Sequence, residues 1–219
     1  MGKPDWVGSM RLARPVRERQ MLAVAERVFA ERGFRASSVD VIAAGAEISK
    51  PMLYAYFGSK EGLYRACMER SRTALVEALD GAAQTSDEPE ERLWNGLLAF
   101  FTFVEEQPEA WAILAGEAGA GAGGLAPDGA EARRQVAATV GGLLRDAAAA
   151  EGAGEAELAA TEPMALALVG AAESLSRWWL EHPELPREAV ARLAMNFAWM
   201  GLGRLVRGEG WSPPAAVRS

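Results

Sequence analysis

The stretch from Ser37 to Glu61, SSVDVIAAGAEISKPMLYAYFGSKE, constrains the fold more than any other part of the chain. It reads as two short helices set at an angle, followed by the start of a third. Ser37 and Ser38 suit the N-cap of the first, and Asp40 follows Ser37 at a capping-box-like spacing. Val39, Ile42, Ala43 and Ala46 give that helix an apolar side at helical spacing. Ser49 suits the cap of the second helix, and Pro51 is tolerated in its first turn. Leu53 and Phe57 fall on one face and are expected to point inward together, which leaves Met52, Tyr54, Ala55 and Tyr56 nearer the outer faces. Gly58 ends the helix and Ser59 caps the next. Such a pair suits a helix-turn-helix, whose second helix enters the DNA major groove by its N-terminal end. On local physics alone it suits an ordinary helix pair of an all-α protein equally well.

The run Lys50-Pro51-Met52-Leu53-Tyr54-Ala55-Tyr56-Phe57, then Ser59-Lys60-Glu61 and Leu63-Tyr64, resembles the recognition helix of the TetR family of bacterial repressors. Met21-Leu22, Ala25, Val28-Phe29 and Gly33-Phe34 resemble that family's opening helix, so the likeness covers about Arg17 to Arg70. The rest of the chain is similar only in length and helical character. One departure stands in the turn between the two helices, where the family usually has Gly and this chain has Glu47. Glycine takes a left-handed backbone there without strain.

The totals narrow the function classes. Residues 1–70 carry 12 Lys+Arg against 8 Asp+Glu, and the remainder 11 against 22, within a net charge of −7. A mildly basic head on an acidic body fits a chain with one end facing nucleic acid. A single cysteine, Cys67, excludes an intrachain disulfide and a multi-cysteine metal site, and reads as a small buried apolar residue. The single histidine, His182, lacks partners for a zinc site or a triad. With no nucleophile elbow either, an enzyme is not expected, and no catalytic residue, metal or cofactor is assigned. No signal peptide is visible and no apolar run reaches membrane-spanning length, so a cytoplasmic protein without a membrane partner is expected.

The expected architecture is all-α, with a three-helix helix-turn-helix domain followed by a helical effector-binding and dimerisation domain. Residues 1–14 read as a flexible basic arm, 15–70 as the head, 71–208 as the body and 209–219 as a tail. The first helix is expected over Pro15–Arg32, with Gly33 closing it. A fourth, Lys60 to about Ala82, links head to body. The polar loop Gln84–Glu91 reads as the best domain boundary. Helix Pro89–Gln107 is apolar almost all round and so expected to lie centrally. The Gly/Ala-rich stretch Gly116–Gly129 lacks a phosphate-loop ending and reads as a mobile loop, a gate to any cavity. Three further helices follow, Ala130–Ala150, Glu155–Glu181 and Arg187–Arg207.

The resemblance implies a dimeric repressor that binds a palindromic operator in double-stranded DNA and answers to a small effector, while a DNA-binding regulator that answers to a protein partner or to no ligand stays open as the alternative. By it, Ser49, Lys50, Pro51 and Met52 lie at the base-reading end, while Ser38, Tyr54, Tyr56 and Lys60 match positions that hold phosphate. A hydrophobic effector is expected against Trp94, Phe101, Trp111, Leu168 and Trp178, with Asn95 and Thr102 as orienting groups. Glu173 suits either a surface pair with Arg177 or a polar anchor. Val169, Leu193, Phe197, Met200 and Leu205 lie on the last two helices, which by the resemblance meet a two-fold mate; the residues alone allow intrachain packing equally.

Overall fold

The computed structural model describes residues 13–116, 126–150 and 152–206, with the backbone alone at 126–130, 132 and 200–206. Among the described residues the secondary structure is entirely helical. The head holds α1 (Arg14–Ala36), α2 (Val39–Gly45), α3 (Lys50–Phe57) and the first half of α4 (Lys60–Ala83). The body holds the rest of α4, with α5 (Pro89–Glu106), α6 (Pro108–Leu114), α7 (Ala126–Ala150), α8 (Glu155–Leu180) and α9 (Arg187–Val206).

Local chemistry sets the head's boundaries. Gly33 takes φ 72° and ψ 164°, so α1 breaks where its expected end lies and resumes for one turn to Ala36. The two serines divide their work. Ser38 Oγ accepts from the Asp40 amide at 3.2 Å and caps α2. Ser37, expected as a cap, is buried and donates to the carbonyls of Gly33 (2.6 Å) and Val28 (3.1 Å), fastening the end of α1. Ser49 and Ser59 cap α3 and α4 as expected. Gly58, at φ 73°, closes α3.

Two apolar cores divide along α4. Tyr64 packs edge to face on Phe29 and Phe34, which stack on each other, in the head core with Met21, Leu53, Leu63 and Cys67. Leu75 and Leu79 of the same helix belong to the body core with Phe101, Trp111, Leu168 and Val190. The expected boundary is therefore a turn inside the body, Gln84–Glu88, since the helices on both sides of it feed one core, and Pro89–Glu91 already belong to α5. Sequence polarity marks the loop's exposure, and it does not mark where the cores part. α6 is the second bridge, because Ile113 reaches the head core while Trp111 sits in the body.

α5 packs against α4, α9, α6 and α8, the central place expected of a helix apolar all round. Cys67 is fully buried, and burial pushes its thiol well up from the ordinary range. Glu173 pairs with Arg133 of α7 through Nε–Oε1 at 2.9 Å and Nη2–Oε2 at 2.6 Å, not with Arg177 as expected. The partner lies 40 residues away across a helix interface, out of reach of an i, i+4 argument. The expectation that no apolar run reaches spanning length is corrected. Glu155–Leu180 is long and apolar enough to cross a membrane by length and composition. Here it packs against α7 and α9.

Ala126–Gly129, expected in the gate loop, begin α7, while 117–125 lie outside the described residues, as do the arm at 1–12 and the tail at 209–219.

Candidate nucleic-acid interface and body cavity

The outer side of α3 presents one continuous set of groups. Ser49, Lys50, Pro51, Met52 and Tyr54 are exposed, while Leu53 beneath them is fully buried and anchors the helix. Phe57, expected inward with Leu53, is only half-buried against the core. Tyr56 is half-buried as well, with the guanidinium of Arg14 over its ring at 5.3 Å. That stacking orients the phenol and brings the start of α1 beside α3. Lys60 Nζ sits 4.6 Å from the Phe34 ring centroid and donates to the Arg35 carbonyl at 3.3 Å. Ser38 is half-buried at its cap.

Lys50 Nζ pairs with Asp40 Oδ2 at 3.0 Å, and that hydrogen bond raises its pKa. The pair is exposed, and such pairs contribute only about 0–1 kcal/mol. Lys50 thus rests on a carboxylate of α2 in an exposed pair that opens at small cost. Neither the Asp40 nor the Arg14 contact is visible as a motif. Their signal in the sequence is only that charged or aromatic residues lie near the caps of adjoining helices.

Glu47 resolves the departure in the turn. It adopts φ 54°, the single positive φ among the described residues other than glycine. The turn keeps the left-handed conformation that glycine takes without strain, and the side chain carries the steric cost.

The body holds a partly open apolar cavity of about 100 Å³ between α4, α5, α7, α8 and α9, walled by residues such as Leu79, Leu97, Phe100, Val140, Leu168 and Trp199. Of the expected effector residues, Leu168 lines it, while Trp111 and Glu173 line a smaller adjoining cleft. The others lie elsewhere. Phe101 fills the core edge to face with Trp179. Thr102 donates to its own helix at Leu98, and Asn95 donates to Thr85 at 2.8 Å. Trp94 is half-buried against the body core, and Trp178 is exposed and stacked on His182. Val169, expected at a dimer interface, lines both spaces. Leu193 and Phe197 are 50% and 69% exposed on α9, whereas the side chains of Met200 and Leu205 lie outside those described.

A capped helix pair carrying a lysine and hydroxyls outward, built on a helical body, defines a two-domain helix-turn-helix regulator. The profile described as "Bacterial regulatory proteins, tetR family" matches residues 21–67, and that of "Tetracyclin repressor-like, C-terminal domain" matches 89–201. The chain belongs to the TetR family and is a DNA-binding transcriptional regulator. It is 38% identical over 104 residues to the HTH-type transcriptional activator FasR of Mycolicibacterium smegmatis, covering 48% of each chain. It is 38% identical over 100 residues to the regulator EthR of Mycobacterium tuberculosis, covering 42% of this chain and 44% of EthR. These matches span about half the length of the curated relatives. The crystal structure of a TetR-like transcriptional regulator from Rhodococcus sp. RHA1 has 37% identity and a TM-score of 0.71, covering 88% of this chain and 99% of that one.

Proposed function

We propose that the protein is a dimeric repressor that binds a palindromic operator and is released by a small apolar effector held in the body cavity. One observation carries the reading. α4 is a single helix whose Leu63, Tyr64, Cys67 and Met68 belong to the head core and whose Leu79 lines the cavity. A ligand that favours one placement of Leu79 biases the tilt of α4, and with it the spacing of two recognition helices across a dimer. Ser49, Lys50, Pro51 and Met52 read base edges, while Ser38, Tyr54, Tyr56 and Lys60 hold phosphates. Leu193 and Phe197 supply the apolar face that meets the mate. The protein works in the cytoplasm, where its operator lies.

The test is an operator titration with and without a ligand whose entry is followed by the emission of Trp199, a cavity residue. Operator affinity is expected to fall when the cavity fills. Unchanged affinity with the cavity filled would contradict the mechanism. The likeness to FasR, an activator, favours a second reading of the sign: activation from the same operator. Deleting the gene decides between them, since target transcription rises for a repressor and falls for an activator.

A further inference from the structure

Arg92 is the one charged residue among those lining the main cavity, whose walls are otherwise apolar. Its Nε is buried without an acceptor, and its guanidinium makes no hydrogen bond or ion pair with any described residue. The carboxylate next to it in sequence, Glu91, is already engaged by the Ser86 hydroxyl at 2.7 Å. Arg92 as a whole is half-buried, so the orphaned donor is its Nε. A desolvated donor without a partner is unfavourable, and an ionised acceptor relieves it best. Arg92 also lies in the first turn of α5, whose Pro89 lines the same cavity.

The far wall is built from Leu143, Leu144 and Ala147 of α7 and carries no polar group to hold a second head. The cavity's 100 Å³ gives room for roughly seven waters by the measure in which one water needs about 10–15 Å³, enough for a short hydrocarbon chain. We propose that the effector is an amphipathic acid, with its carboxylate on the Arg92 guanidinium and its hydrocarbon along α5 toward α7. This inference rests on the reading of the cavity as the effector site and names the chemical class that it takes.

The test uses the full chain with two probes of equal length, octanoate and octan-1-ol, followed by calorimetry. Wild type is expected to bind octanoate at least about tenfold more tightly than octanol, as a bidentate charged contact allows. Arg92→Gln should lose that preference and keep its affinity for octanol, which also reports an intact fold. Equal affinities in the wild type, or a preference that survives Arg92→Gln, would overturn the acid while leaving an apolar effector in place. Should Arg92→Gln bind neither probe, Arg92→Lys decides: octanoate preferred supports the proposal, and preference lost with octanol retained overturns it. Gly96 controls for the site, because it lines the cavity and a Cβ there meets nothing within 4 Å. Gly96→Leu should therefore block both probes. Failure of the wild type to bind either, or binding indifferent to Gly96→Leu, would overturn the cavity reading and this inference with it.

Discussion

Glu47 holds a backbone conformation that costs an L-residue about 1–2 kcal/mol and costs glycine nothing. Glycine loses about 0.5–1 kcal/mol more conformational entropy on folding. Glu47→Gly is therefore expected to stabilise the head by about 0.5–1 kcal/mol in a urea titration, with DNA affinity no weaker. Glu26 is the other residue with a measurable cost. Burial raises its pKa above the ordinary 4.5, more than Arg70 at 3.4 Å lowers it. Its favourable contribution is thus complete below the ordinary value and is lost as pH rises through the raised one. The charged form is the costly one, because the carboxyl is largely buried and its Oε1 has no partner. Glu26→Gln should raise the melting temperature at pH 8, and the gain should close as pH falls toward 4.

At the scale of elements, the head was readable because its chemistry is local. Caps at Ser49 and Ser59, the buried Leu53 and the break at Gly33 all follow from residues within a turn or two of each other. The body was readable as helices and much less as a site. Whether an aromatic such as Phe101 fills the core or lines a space depends on how distant helices pack. The same holds for Glu173, whose partner sits on another helix. Arg92 left only a faint trace, a cation in the first turn of an apolar helix. Each phosphate contact contributes about 0.9 to the slope of log affinity against log salt. Lys60→Ala removes one contact per subunit, so a dimer's slope should fall by about 2 in salt-dependent binding titrations. An unchanged slope would mean that Lys60 stays on Phe34 and the Arg35 carbonyl in the complex.

For the whole molecule, the proposed dimer rests on exposed apolar residues of the last two helices. Leu166, Trp178, Leu180, Leu193 and Phe197 are each more than 40% exposed. Burying a Leu or Phe side chain contributes about 1.5–3 kcal/mol. A Leu193→Asp, Phe197→Asp variant should therefore sediment as a monomer at concentrations where wild type is a dimer, with its helix content kept. It should also bind DNA far more weakly, since one recognition helix reads too few bases to specify a rare site. The most direct measurement is selection of bound sequences from random duplex DNA by the purified protein, with a Tyr54→Ala, Lys60→Ala variant beside it. An enriched inverted repeat, its half-sites about one helical turn (roughly 34–36 Å) apart and lost in the variant, is the expected result. Enrichment of no sequence, or of one without two-fold symmetry, would contradict a dimer that reads DNA through α3.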